Sequence, residues 1–189
     1  FTGSTEVGRE IVRASAGNMK RVSLELGGKA PTVILDDADI DAAVGGNLQG
    51  AFLNAGQVCV AYARFFVDAK RADEFAEKAA AASEGMKMGP GIEESTQLGP
   101  LISEEHLNRV DSYVKSGNEE GADLVTGGER ADGELASGFF YKPTVFNSVK
   151  DEMKIAREEI FGPVISILPY ESEDELAARS MGVPLVRMK

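Results

Sequence analysis

The feature that most constrains this chain is its alternation of short β-branched runs with longer amphipathic or alanine-rich runs. Residues 21–26, 31–35, 64–67, 124–126, 142–146 and 164–168 read as strands. Residues 6–16, 40–53 and 72–84 read as helices, as do a stretch from Ser103 to about residue 116 and one that follows Ser172. Most of these helices carry their own start signals. Ser4 and Thr5 are N-cap candidates, Asp36, Asp37 and Asp39 bring acid to a positive dipole end, and Ser172 with Glu175 has capping-box spacing. Gly17 is the expected stop of the first helix. Strands that alternate with helices are joined by crossovers, which predicts an α/β fold with a mostly parallel sheet and helices on its faces.

Composition bounds what such a fold can do. The chain has 189 residues, which suits one domain or one domain plus part of another, and its 43% hydrophobic share is enough to bury a core. A net charge of -11 repels phosphate backbones and anionic lipid, so neither nucleic acid nor a membrane surface is an expected partner. No apolar run approaches the roughly 20 residues that span a bilayer, and no basic-then-apolar leader opens the chain. The single Cys rules out an internal disulfide and fits a reducing, cytoplasmic setting. With 1 Cys and 1 His, a zinc site is not expected, and no metal is called for. The opening Phe1-Thr2-Gly3-Ser4-Thr5 reads as a strand end and a tight turn, so the expectation is that the chain starts inside something longer.

Four places could carry chemistry, each with a plainer alternative. Cys59 follows Gly56 and Gln57, where a glycine turn lets backbone approach a ligand. A free thiol is a strong nucleophile even when only partly ionised, although an isolated cysteine is more often a small buried hydrophobe. Glu25 lies between Leu24 and Leu26 ahead of two glycines, at a strand end where open α/β sheets place functional groups. It is either a general base, favoured if buried, or a solvent-facing strand residue. Glu158-Glu159-Ile160-Phe161-Gly162-Pro163 is either a helix end with a turn, or a carboxylate for a ribose beside a ring for a flat cofactor. Gly3-Ser4-Thr5 is either an ordinary N-cap or a phosphate site at a helix start.

Taken together, these segments resemble the aldehyde dehydrogenase superfamily. The matches are Phe1-Thr2-Gly3-Ser4-Thr5-Glu6-Val7-Gly8, Leu24-Glu25-Leu26-Gly27-Gly28-Lys29, Asn54-Ala55-Gly56-Gln57-Val58-Cys59 and Glu158-Glu159-Ile160-Phe161-Gly162-Pro163. Lesser ones are Leu98-Gly99-Pro100 and Lys142-Pro143-Thr144-Val145. All stand in the family's order, over residues 1 to about 179. The resemblance implies a three-layer α/β/α catalytic domain at residues 27–179, preceded by the tail end of a Rossmann-like cofactor domain at residues 1–26 and followed by a divergent tail at 180–189. It implies that Cys59 attacks an aldehyde carbon to form a thiohemiacetal, whose oxyanion the Cys59 backbone N–H would stabilise. Hydride would then pass to NAD or NADP, and Glu25 would activate water to release the acid. Glu159 would hold the nicotinamide ribose, Phe161 would pack near the ring, and Gly3 and Ser4 would lie by the pyrophosphate.

The departures matter too. By the resemblance, the first dinucleotide-binding strands, the asparagine that gives a second oxyanion donor and the groups that hold the adenosine ribose precede Phe1, so NAD and NADP are not distinguished. Tyr62 stands where the family has a small or turn-forming residue and is expected to crowd the thiol. Three functions follow: a fragment of an NAD(P)-dependent aldehyde dehydrogenase, from a homo-oligomeric parent, with little turnover alone; a catalytically inactive remnant that only associates or retains thiol-esterase activity; or a thiol hydrolase that pairs Cys59 with His106. Semialdehyde, aromatic, betaine-type and aliphatic members share these motifs, so the aldehyde is not named.

Overall fold

The computed structural model describes residues 1–181, Met181 by its backbone alone. Most of the divergent tail, residues 182–189, lies outside the described residues. The strands are β1 (Thr2–Gly3), β2 (Glu25–Leu26), β3 (Ala30–Ile34), β4 (Tyr62–Asp68), β5 (Asp123–Thr126), β6 (Thr144–Asn147) and β7 (Val164–Tyr170). The α-helices are α1 (Thr5–Ser15), α2 (Ile40–Phe52), α3 (Ala72–Glu84), α4 (Glu104–Glu119), α5 (Lys154–Arg157) and α6 (Glu173–Met181).

β1 and β2 pair in parallel as a small sheet, with Thr2 opposite Glu25 and Gly3 opposite Leu26. Helix α1 starts at Ser4, whose hydroxyl accepts from the Val7 N–H at 3.3 Å, and it lies so close to β2 that a Cβ on Gly8 would come within 2.8 Å of Leu26. The α-helix ends at Ser15 with Ala16 as its C-cap, just before the expected stop at Gly17. A 3-10 turn carries the chain on to Met19, which takes the left-handed conformation.

The main sheet has five strands in the order β3-β4-β7-β6-β5. Its pairings are parallel except β5 with β6, which is antiparallel. No α-helix lies between β5 and β6, so that connection needs no crossover. The two faces are read from the alternation of side chains. Phe65 on β4 meets Phe75 of α3 at 5.5 Å, and Asn147 of β6 bonds Asp73 of α3. Phe146, one residue earlier on β6, faces the other way, against Gly117 of α4, and Ser166 of β7 bonds the Ile155 carbonyl of α5. Helices therefore cover both faces, α3 with α2 on one and α4 with α5 on the other, as the three-layer expectation required. Phe65, Phe66, Phe75 and Phe146 are wholly buried in the core between them.

Candidate active site

The thiol stands on a loop whose backbone is held in an unfavourable shape. After α2, Asn54, Ala55 and Gly56 take φ of 51, 56 and 73° in succession. A left-handed conformation costs about 1–2 kcal/mol for a non-glycine residue, so this turn survives only because its surroundings hold it. The Gln57 side chain does much of that: its amide donates to Asn54 O at 2.9 Å and Pro100 O at 3.4 Å, and its carbonyl accepts from the Ile102 N–H at 2.9 Å. Gly56 abuts a second loop, since a Cβ there would sit 2.1 Å from Gly162 O. A turn closed by the Ala61 N–H on Val58 O, at 3.0 Å, then lifts Cys59 to the surface. The isolated cysteine is therefore not a buried hydrophobe. The ring of Tyr62, expected to crowd the thiol, packs on Gly50 of α2.

The glycines after β2 form a seat for a carboxylate. A Cβ on Gly27 would lie 1.9 Å from Glu159 Oε2, so the absence of a side chain there leaves the carboxylate its place. Burial lifts the Glu159 carboxyl above its usual range, while the nearby Gly28 backbone N–H, Lys29 and Arg109 pull it down. Lys29 is buried with no hydrogen-bond partner among the described residues. Burial and the neighbouring Arg64 push its amine down to about 7, and Glu159 and Glu158 push the other way. Arg64 donates through Nε to Lys29 O at 3.1 Å, which ties β4 to the entry of β3. Lys29 and Arg64 went unweighed in the sequence, because nothing in their local pattern signals burial.

Phe161 is the third element. It takes φ of 60°, and the residue stays 37% exposed. Helix α4 lies alongside: Arg109 donates to Glu159 O at 3.2 Å, and the Tyr113 hydroxyl donates to Glu158 at 2.9 Å. Burial and that carboxylate push the Tyr113 hydroxyl up to about 12. The imidazole of His106 bonds the Phe161 carbonyl, so its Nε2 is not free for Cys59.

These loops converge. Gly28, Gly56, Val58, Ala61, Glu159 and Phe161 line a cavity of about 10 Å³, close to the space of one water molecule. Cys59 lies between two of its lining residues. Glu25 stands three residues before Gly28, exposed at the start of β2 and with no hydrogen bond to Cys59. The burial that would favour Glu25 as a base is absent. Gly3 sits beside Leu26 across the small sheet, and Ser4 caps α1. The placement differs from the usual one for open sheets: Glu25 opens the two-residue β2, and the thiol, Lys29 and Phe161 precede β4, β3 and β7, so they lie at amino ends. A larger hollow of about 420 Å³ beside Asp151, Pro169 and Arg179 gathers none of the candidate residues.

Known proteins resemble the chain in both sequence and fold. The profile described as "Aldehyde dehydrogenase family" matches residues 1–180. A betaine aldehyde dehydrogenase of Rhizobium johnstonii is 46% identical over 180 residues, which cover 95% of this chain and 37% of that protein. The structure of an aldehyde dehydrogenase from Bacillus cereus in complex with NAD+ superposes with a TM-score of 0.90 at 45% identity, over 95% of this chain and 36% of that one. An aldehyde dehydrogenase of Mycobacterium tuberculosis, also complexed with NAD+, gives 0.92 at 44%, over 95% and 37%. The chain thus spans little more than a third of the length of these relatives. In sequence over nearly its whole length, and in fold, the chain belongs to the aldehyde dehydrogenase family.

Proposed function

We propose that this chain carries the nucleophile and the general base of an enzyme that oxidises an aldehyde to a carboxylic acid with NAD or NADP. The observation that supports it most is the convergence of the thiol loop, the glycine seat and the 159–162 loop on one small cavity. The residues present fit a dinucleotide. Glu159 keeps one buried carboxylate oxygen without a hydrogen-bond partner among the described residues, an acceptor that suits a ribose hydroxyl. The exposed ring of Phe161 offers a flat apolar surface, and the exposed start of α1 at Gly3 and Ser4 offers amides to a pyrophosphate. When bound, the nicotinamide supplies the acceptor for the two electrons of the oxidation.

The chain's own residues would act as follows. Cys59 Sγ attacks the aldehyde carbon, and the Cys59 backbone N–H would donate to the oxygen as it becomes negative. After oxidation the acyl group is held on Sγ. Glu25 takes a proton from a water, the water attacks that acyl carbon, and the acid leaves with the thiolate restored. An exposed carboxylate returns its proton to solvent directly. In the same reading, residues 1–26 belong to a cofactor-binding unit and 27–179 to the thiol domain of a cytoplasmic homo-oligomer.

Acylation by p-nitrophenyl acetate tests the thiol and the base without any cofactor. Sulfur displaces nitrophenolate, and hydrolysis then frees acetate. The expected outcome is turnover that is lost in Cys59→Ala, with an acetyl group accumulating on Cys59 in Glu25→Gln, read by mass. Equal deacylation in Glu25→Gln and the parent would remove Glu25 from the role.

A further inference from the structure

Four residues of α4 bear on the 158–162 loop: His106, Arg109, Val110 and Tyr113. Their spacing of i, i+3, i+4 and i+7 is one face of a helix. Tyr113 holds the Glu158 carboxylate, Arg109 holds the Glu159 carbonyl, and Val110 packs so tightly on Gly162 that a Cβ there would come within 2.5 Å. His106 completes the row. Its Nε2 lies 2.5 Å from Phe161 O, and its ring meets the Phe161 ring edge-on, at 6.0 Å and 71°. A carbonyl only accepts, so Nε2 carries the proton.

That contact falls where the backbone needs it. Phe161 is an aromatic residue at φ of 60°, a conformation an isolated chain abandons for the extended or right-handed one. Either change would swing the carbonyl away and redirect the ring. The helix that carries His106 is itself anchored, since Ser103 caps it through the His106 N–H at 3.2 Å, and Leu107 and Val110 are buried beneath it. We propose that His106 is a positioning residue that holds Phe161 in its left-handed conformation and thereby sets the angle at which the ring meets the nicotinamide. The second half rests on the cofactor reading above, and the first does not.

The chain contains 1 His, so one imidazole signal reports it without ambiguity. In the ¹⁵N-labelled 189-residue chain the neutral ring is expected as the Nε2–H tautomer. His106→Ala is expected to move the Phe161 ¹³Cα shift out of its left-handed range. It should also speed hydrogen exchange at the Val164 amide, which bonds Gly162 O at 2.7 Å, by about tenfold, with the other core amides unmoved. His106→Gln, which keeps a donor, is expected to restore most of both. An Nδ1–H tautomer, or a Phe161 shift unchanged in a folded His106→Ala chain, overturns the proposal. Titration with nicotinamide mononucleotide reads the second half separately. The Phe161 ring signals should move in the parent and less in His106→Ala. No movement in the parent refutes the cofactor reading and the second half with it, while the first half is still decided by the ligand-free spectra.

Discussion

Replacing Gly27 by alanine isolates one contact with little else changed. The φ of Gly27 is not positive, so the backbone accepts alanine. The new Cβ would meet Glu159 Oε2 at 1.9 Å and Cδ at 2.8 Å, where ordinary contact begins at 3.4 Å. The carboxylate must retreat by 3.4 − 1.9, or about 1.5 Å. That draws the charge away from the Gly28 N–H dipole that stabilises it, an interaction worth at most about 1.5–3 kcal/mol. Alanine returns about 0.4–1 kcal/mol by restricting the unfolded chain. The net expectation is a loss of about 1–2 kcal/mol, a fall in midpoint of about 2–8 °C for a chain of this size. Urea unfolding of the parent, Gly27→Ala, Glu159→Ala and the double variant measures it. With Glu159 truncated, the alanine should be neutral or mildly stabilising. The same loss in both backgrounds would refute the claim that Gly27 is glycine because of Glu159.

Other consequences are equally open to measurement. Lys29 is lowered in the folded chain from 10.5 to about 7, so its contribution to stability is present above 10.5 and lost as pH falls toward 7. A Lys29→Met variant should therefore exceed the parent at pH 7, by an amount on the order of 3–5 kcal/mol that closes toward pH 10; parallel curves would contradict the burial of the amine. Gly56→Ala meets both a φ of 73° and the Gly162 carbonyl at 2.1 Å, neither of which a flexible side chain can relieve. It should cost at least about 2 kcal/mol and change the rate at which a disulfide reagent modifies Cys59; an unperturbed labelling rate in a folded variant would count against the loop contact. In the parent, the exposed thiol should be modified at a rate independent of sub-denaturing urea, and a rate that tracks unfolding would show it buried.

Much of this architecture was legible in the amino-acid sequence where a segment is long and locally consistent. The alanine-rich α3 spans Ala72–Glu84, the range its composition indicates. The segment 21–26 shrinks to Glu25–Leu26, because alternation makes a strand only where a partner strand supplies hydrogen bonds, and β1 is two residues long. Helix α5, four residues long, is too short to show a period. At the site, the thiol and Glu159 were visible through their glycine-rich neighbours. Lys29 and Arg64 were not, since their burial is produced by tertiary packing of β3, β4 and the 158–162 loop. The left-handed conformation of Phe161 was likewise hidden, since nothing local favours it and the contacts beside it come from α4, far away in sequence. The function assigned to His106 shows the same gap: its sequence surroundings mark a solvated helix start, and its partner lies 55 residues on.

The thiol loop, the glycine seat and the Phe161 loop meet at one small cavity. The single cysteine permits a direct test. A nitroxide attached to Cys59 broadens nearby amide signals in a distance-dependent way. Strong broadening is expected at Gly28, Glu159 and Gly162, with Glu25 affected and the far ends of α3 and β7 untouched. Sharp signals at Gly28 and Gly162 in the labelled, folded chain would contradict it.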